Sequence, residues 1–346
     1  MANGIYMKNK SIIKDVFKFC FFIGIAVLLV FLFLRQLTDN EIDEIKEAFS
    51  NINYLWLLPA ILFGVVSHIL RALRWRMLLT PLDYKPKMWN MIFSVSVAYF
   101  ANLAVPRLGE VARCGILRKY EKIPFTKSFG TVITERVVDM LVFLLIFVIN
   151  ILVQSELAVK CLTDITSQSD SAGLIAKVIF VALAAVVVVF VFALILYMKK
   201  KKVKSKFFNI IVEMINGFSD GIKTLFRLKS PITFIFYSVM IWIAYLYMSK
   251  MVFYCLPQTS ILGYDAAFSG LAFCTIGTIL IPGGIGLYPI LAAAIYSLYG
   301  ISSATGFALG WLIWTNQTIV IIIAGIFSLI VLPLYNKTSN DRVATK

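Results

Sequence analysis

The chain has 346 residues, of which 60% are hydrophobic, and its formal net charge is +15. Its mean hydropathy is +0.87, and several apolar runs exceed the roughly 18 residues that cross a bilayer core. Nucleic-acid binding is excluded, because the positive charge lies in short clusters at the ends of apolar segments and not over a polar surface. The composition predicts an all-α polytopic membrane protein.

Charge sets the predicted topology, because short cytoplasmic loops of membrane proteins collect Lys and Arg. Five basic clusters mark the expected cytoplasmic side, and two acidic segments, residues 39–47 and 156–170, are expected outside. Helices placed between these markers predict about six transmembrane spans, near residues 17–34, 54–70, 129–153, 173–198, 231–255 and 304–333. Both ends are then cytoplasmic: residues 1–16 form the N-terminal segment and residues 336–346 the tail.

Two apolar stretches do not fit this alternation and predict re-entrant helical hairpins. Residues 89–105 have a basic cluster on both sides, and residues 264–299 lie between two loops placed outside, so each stretch should enter the membrane and return. Pro106 follows the first, and Pro282 with Gly283 lies within the second. Such breaks at membrane depth persist only inside protein or beside a wet cavity. Two ordinary kinked hairpins are the alternative.

The order of these elements predicts an inverted-topology repeat. An amphipathic stripe from Ile42 to Ile52 precedes a span, a broken pair and a span, and a stripe from Phe207 to Leu225 precedes the same parts. The repeats cover about residues 40–153 and 207–333 within one membrane domain, 17–335. Secondary transporters use this architecture, with broken helices meeting near the midplane.

Ionisable side chains inside the apolar segments are the candidate site residues. A charge at the bilayer centre costs roughly 2.5 to 3.5 kcal/mol, so it needs a partner or a wet cavity. Glu135, Arg136 and Asp139 fall within roughly 100° of one another on a helix. The arginine fork suits phosphate. The predicted headgroup-binding residues are Arg74, Asn102, Arg107, Glu110, Arg113, Glu135, Arg136 and Asp139.

Structural roles remain open for the same residues. Glu110 with Arg113, and Arg136 with Asp139, are also spaced as pairs that brace helices, and the arginines 71–76 also suit topology anchors. We interpret the lone His68 as a packed or interfacial histidine in preference to a ligand. Asn102, Asn316 and Gln317 fit either a cavity lining or a bond between helices.

The remaining motifs predict backbone geometry and no cofactor or metal. The loop residues are Pro106, Gly109, Pro282, Gly283, Gly284 and Gly286, of which the glycines permit close approach and positive φ. The glycine cluster follows no strand and lacks the Lys-Ser/Thr of a nucleotide-binding P-loop. Five cysteines without metal-ligand spacing predict small buried residues.

Four segments carry a resemblance to a known family: RALRWRMLL, NLAVPRLGEVARCGILRKY, SFGTVITERVVDML and IPGGIG. They resemble the signature blocks of the lysylphosphatidylglycerol synthase transmembrane family, the flippase-like module of the multiple peptide resistance factor. The resemblance covers roughly residues 15–335. Two departures matter. Pro289 stands where many relatives have a glutamate, and the aminoacyl-transferring domain of the synthase is absent from this sequence.

The resemblance implies a multi-pass protein of the bacterial cytoplasmic membrane that moves a phospholipid or polyprenyl-linked lipid between leaflets without covalent chemistry. The partners are then the lipid and the membrane, with a homo-oligomer or a lipid-modifying enzyme as further candidates. Two other functions remain open: a membrane transferase that uses Glu110 or Asp139 as base, and a scaffold subunit for a separate enzyme.

Overall fold

The computed structural model describes residues 23–105, 107–154 and 228–344, and in these ranges its regular structure is helical. The helices are α1 (Ile23–Arg35), α2 (Asp39–Ser50), α3 (Leu57–Leu79), α4 (Met88–Ala104), α5 (Leu108–Tyr120), α6 (Phe125–Val153), α7 (Pro231–Phe253), α8 (Tyr264–Leu280), α9 (Leu287–Ser297) and α10 (Ser303–Ala344). The predicted N-terminal segment, the span 173–198 and the stripe 207–225 lie outside the described residues.

Two compact units make up the chain. One contains the described residues up to Val132 and from Leu228 onward, and the other begins at Ile133, within α6. The first unit therefore holds both of the predicted broken hairpins, whereas Glu135, Arg136 and Asp139 belong to the second.

Among the described residues, four helices are long and apolar enough to cross a membrane, or five if the bent pair α1–α2 counts as one span. The four lie at Tyr54–Leu82, Phe125–Val153, Pro231–Phe253 and Ser303–Lys337. Large apolar side chains such as Leu62, Ile235 and Ile323 are about three-fifths exposed on them, as expected of a surface that faces lipid. The all-α membrane class is confirmed, and the six-span count stays a prediction.

Two helix ends differ from the sequence prediction. Helix α3 was expected to end near residue 70 but continues to Leu79, because Arg71 and Arg74 are buried inside the bundle and do not terminate the helix at a membrane surface. Helix α10 continues past the predicted end at 333 to Ala344. There Asn336 exchanges two side-chain amide hydrogen bonds with Asn90 of α4, at 2.8 and 3.0 Å.

The predicted amphipathic stripe at residues 42–52 forms α2, which turns away from α1 by 117°. Thr38 and Glu41 form a capping box that starts the helix. The Glu44 carboxylate accepts hydrogen bonds from the hydroxyls of Ser302 and Thr305, the latter at 2.6 Å. These hydrogen bonds connect α2 to the start of α10.

Helix pairs α4–α5 and α8–α9 break in the same way. Helices α4 and α8 both have 17 residues, and each is followed by an extended residue, Val105 or Ile281. After the proline in the sequence comes a residue in the left-handed region, Arg107 with φ 67° or Gly283 with φ 69°. The two breaks lie against each other, since a Cβ on Gly283 would be 3.6 Å from the Leu103 side chain.

Helix α3 packs antiparallel against α7 and also contacts α4 and α10. Small residues permit the close crossings. Gly64 faces Val320 and Met248, Gly325 faces Phe100, and Gly310 faces Pro289 of α9. Pro289 is buried against this glycine, so its place in the fold is a helix contact.

Candidate functional site

One face of α3 carries the polar residues around which the candidate site is built. Gly64, His68, Arg71 and Trp75 recur every three or four residues and therefore lie on one side of the helix. His68 is 6% exposed, Arg71 5%, and Arg74 and Trp75 have no exposed surface. Helical spacing thus places buried polar groups along α3 from within the predicted span 54–70 to beyond its predicted end.

The α3 arginines reach hydroxyl groups and aromatic rings on neighbouring helices. Arg74 Nη1 donates to Ser238 Oγ of α7 at 3.2 Å. Arg71 Nη2 donates to Tyr245 Oη of α7 at 3.3 Å, and its guanidinium carbon lies 5.5 Å from the centroid of the Tyr99 ring on α4. These contacts leave the guanidinium groups inside the bundle at the α3–α7 crossing.

Arg113 of α5 brings a third guanidinium group to the same region. It is 2% exposed, and its guanidinium carbon lies 4.6 Å from the centroid of the Trp75 ring. A desolvated cation–π contact of this kind contributes about 2 kcal/mol. Trp75 Nε1 in turn donates to Thr131 Oγ1 at 3.0 Å. The structure therefore packs Arg113 on Trp75 of α3, the helix that also carries Arg71 and Arg74.

The break between α4 and α5 positions Arg113. The side-chain oxygen of Asn102 accepts a hydrogen bond from the Gly109 backbone N–H at 2.7 Å, and a Cβ on Gly109 would lie 2.0 Å from the Ala98 carbonyl oxygen. Only glycine lets α5 approach α4 so closely. Asn102, which the sequence left open, thus bonds between helices.

Arg107 and Glu110 lie at the start of α5. Arg107 caps the helix in a left-handed conformation and its side chain is exposed, whereas Glu110 is half-buried in the first turn, one turn before Arg113. A carboxylate in the first turn also interacts favourably with the helix dipole. This short segment therefore presents one exposed cation, one carboxylate and one buried cation.

The charged face predicted on α6 lies in the second unit. Glu135 has no exposed surface, and Arg136 Nη1 lies 3.9 Å from Asp139 Oδ2. The Arg136 side chain is 40% exposed and that of Asp139 is 14% exposed. The spacing is that of a helical i, i+3 ion pair, which fits the bracing interpretation of these two residues.

The glycine loop has the backbone geometry that the sequence predicted. Gly283, Gly284 and Gly286 have φ of 69°, 73° and 75°, a region that favours glycine. Trp314 Nε1 donates to the Gly283 carbonyl oxygen at 2.6 Å. A Cβ on Gly286 would lie 2.9 Å from the Ala26 carbonyl oxygen of α1. The loop is therefore held between α1 and α10.

Lys250 is a buried cation that the sequence prediction missed. It is 4% exposed, its ammonium group donates to the Leu262 carbonyl oxygen, and it lies 4.5 Å from the centroid of the Tyr254 ring. The available signal was a single lysine near the end of an apolar run. Its contacts fasten the loop after α7 to the helix, so we assign it a structural role.

Within the described ranges, His, Cys, Asp and Glu form no group of three or more that would hold a metal ion. Cys114, Cys255 and Cys274 have no exposed surface, which confirms for these three the predicted burial.

Comparison with known proteins supports a role at lipids. The family model of the lysylphosphatidylglycerol synthase TM region matches residues 21–325. The chain is 28% identical over 124 residues to the UPF0104 membrane protein MJ1595 of Methanocaldococcus jannaschii, covering 35% of this chain and 37% of that protein. It is 28% identical over 120 residues to the glycosyltransferase AglD of Haloferax volcanii, covering 34% of this chain and 19% of that protein.

These curated relatives are matched over only about a third and a fifth of their own lengths. No solved structure matches the chain.

Proposed function

The chain belongs to the lysylphosphatidylglycerol synthase TM region family, and we propose that it is a lipid flippase. It moves a phospholipid or a polyprenyl-linked lipid between leaflets without covalent chemistry. The observation that carries the proposal is the burial of three guanidinium side chains: Arg71 and Arg74 of α3, and Arg113 of α5, which packs on the Trp75 ring of α3.

Guanidinium groups at this depth favour a phosphate-bearing headgroup. Each one costs roughly 2.5 to 3.5 kcal/mol to place at the centre of a membrane helix, and a phosphate accepts two parallel hydrogen bonds from the arginine fork. The carboxylate of the half-buried Glu110 offsets part of the positive charge of the site and orients Arg113. The acyl chains stay in lipid, along the exposed apolar faces of the spans.

The two broken helix pairs supply the proposed pathway. Helices α4 and α8 have 17 residues each, or about 25 Å, less than the roughly 30 Å hydrocarbon core. We place both pairs as re-entrant hairpins that open to opposite sides, as in an inverted repeat. The matching left-handed residues Arg107 and Gly283, and the contact of Gly283 with Leu103, support this arrangement.

The proposed location is the cytoplasmic membrane, with both chain ends in the cytoplasm. The basic clusters at the ends of the apolar segments support this orientation, since Lys and Arg accumulate on the cytoplasmic side. In this orientation the buried arginines of α3 lie toward the cytoplasmic end of the helix.

A lipid-translocation assay on reconstituted protein tests the proposal. The fraction of fluorescent phospholipid that an impermeant quencher cannot reach is followed over time in vesicles of defined composition. We expect Arg113→Gln to slow translocation at least about tenfold, the equivalent of one lost charge-assisted hydrogen bond. Arg113→Lys should also slow it, because the fork is lost although the charge remains.

Arg118→Gln is the matched control, because Arg118 lies on the same helix but is exposed. It should translocate lipid within about twofold of the wild type. Rates are normalised to monodisperse protein that melts like the wild type. Wild-type translocation by Arg113→Gln would remove the headgroup role of the buried arginines.

A membrane transferase is the second candidate, favoured by the similarity to a protein named a glycosyltransferase. In that case Glu110 would serve as base on a lipid carrier. Incubation of vesicles with lipid and a sugar nucleotide, followed by mass spectrometry, distinguishes the two. We expect lipid to change leaflet with no added mass, and a product of higher mass would assign transfer.

A further inference from the structure

The row of polar groups on α3 stops abruptly at Gly64. From Trp75 through Arg71 to His68 the face is polar or aromatic, and a Cβ on Gly64 would lie 3.2 Å from Val320 of α10 and 3.5 Å from the Met248 sulfur of α7. Eleven residues separate Trp75 from Gly64, or about 16 Å along the helix. An apolar contact among three helices therefore ends the polar row within the apolar part of α3.

Two buried polar side chains flank this apolar contact. His68 lies one turn from Gly64 on the same face of α3, and Asn316 lies one turn from Val320 on the same face of α10. Helices α3 and α10 meet at Gly64 and Val320. His68 follows Gly64 and lies on the side of the contact that faces the arginines. Asn316 precedes Val320 and lies on the other side.

Neither side chain has its hydrogen-bonding capacity filled among the residues that the structure describes. His68 is 6% exposed and its Nδ1 has no hydrogen-bond partner there, although its ring packs 4.7 Å from that of Tyr99. Asn316 is 3% exposed, and both its Oδ1 and its Nδ2 have none. Buried polar groups in native proteins are nearly always satisfied, and the exceptions call for an explanation.

We propose that His68 and Asn316 bind the phosphate-bearing headgroup on the two sides of an apolar gate formed by Gly64, Met248 and Val320. This inference rests on the proposed flippase function and adds a site to it. The headgroup leaves Arg71, reaches the imidazole of His68, passes the gate when the three helices separate, and is received by the amide of Asn316. The unfilled groups in this closed state are the ones that the lipid fills in passage.

The argument compares the effect of a substitution on the melting temperature with its effect on the translocation rate. A buried polar group that serves the fold is hydrogen-bonded, and its removal lowers the melting temperature. A group kept unfilled for a ligand strains the unliganded protein, so its replacement by an apolar residue of similar size leaves the melting temperature unchanged or raises it. Translocation then falls while stability does not.

The test uses His68→Phe, which keeps a ring, and Asn316→Leu, which keeps the volume. We expect each variant to translocate fluorescent phospholipid about tenfold more slowly, because one hydrogen bond to the moving phosphate is lost, with a melting temperature at or above that of the wild type. The matched control is Thr259→Val, since the buried Thr259 hydroxyl is bonded to the Phe253 carbonyl oxygen at 2.7 Å. It should melt lower and translocate at the wild-type rate per folded molecule.

Outcomes separate this inference from the proposed function. If Arg113→Gln is slow but both His68→Phe and Asn316→Leu translocate like the wild type, the gate-flanking site is wrong and the flippase proposal stands. If Arg113→Gln also translocates like the wild type, the proposed function itself fails. Lower melting temperatures in both variants would assign the two side chains to the fold.

A parallel arm distinguishes a lipid phosphate from a free anion. Uptake of radioactive inorganic phosphate is measured in the same vesicles, and we expect none above that of protein-free vesicles. Protein-dependent uptake that Asn316→Leu abolishes would assign the site to a soluble anion. Should His68→Phe fail to fold, Val320→Ala tests the gate instead: we expect faster translocation, and an unchanged rate would count against the gate.

Discussion

Gly109→Ala tests whether the close contact between α4 and α5 is what positions Arg113. A Cβ at residue 109 would lie 2.0 Å from the Ala98 carbonyl oxygen and 2.7 Å from its carbon. Both atoms are backbone, so the clash is relieved only if one helix moves by about 1 Å or more, since unstrained contacts between heavy atoms lie near 3.5 Å. Overpacking of this kind costs about 2 to 3 kcal/mol.

Gly115→Ala on the same helix is the matched control. Nothing lies within 4 Å of a Cβ at Gly115, so the substitution should add only the helix propensity of alanine, up to about 1 kcal/mol. Because both variants replace a glycine of α5, the difference in free energy of unfolding between them measures the clash. About 2 to 3 kcal/mol corresponds to a gap in melting temperature of about 3 to 4 °C for a chain of 346 residues.

Tryptophan fluorescence during heating in mild detergent gives both melting temperatures. We expect Gly109→Ala to melt below the wild type and Gly115→Ala at or above it. Gly109→Ala should also slow lipid translocation, because the displaced α5 moves Arg113 from the Trp75 ring. If the two variants melt together, the contact does not constrain α5 and this account of how Arg113 is positioned is wrong.

Two further predictions concern the left-handed residue and the topology. Arg107→Gly should keep or raise the melting temperature, because a non-glycine residue at φ 67° costs about 1 kcal/mol. The same variant should slow translocation, because the exposed cation is lost. A fully active variant would leave Arg107 without a headgroup role. Cysteines at the exposed positions of Lys85 and Lys119, with Cys20 and Cys161 replaced by serine, should both react with an impermeant maleimide from the cytoplasmic side, and reaction from opposite sides would disprove the first re-entrant hairpin. Background labelling of Cys255 should stay low, because this thiol has no exposed surface.

The amino-acid sequence was sufficient to predict the membrane class, the positions of most described spans and the conformation of the glycine loop. These features depend on local properties. A long apolar run needs no partner to be recognised, and Pro282 followed by glycines specifies positive φ wherever the chain is placed. The break at Pro106 was predictable for the same reason, and so was the burial of charged residues in apolar helices.

The partners of the charged residues were decided by tertiary packing. Sequence spacing suggested that Arg71 and Arg74 mark the end of a span. Instead α3 continues to Leu79 and buries both against α7, where their partners lie 174 and 164 residues away in the chain. Arg113 packs on Trp75, and Asn102 bonds to Gly109 across the break. Which side chains meet depends on the crossing of helices, and single-sequence periodicity carries no information on that crossing. The apolar contact at Gly64 is of the same kind, because the sequence shows a glycine and only the bundle shows that Val320 and Met248 close upon it.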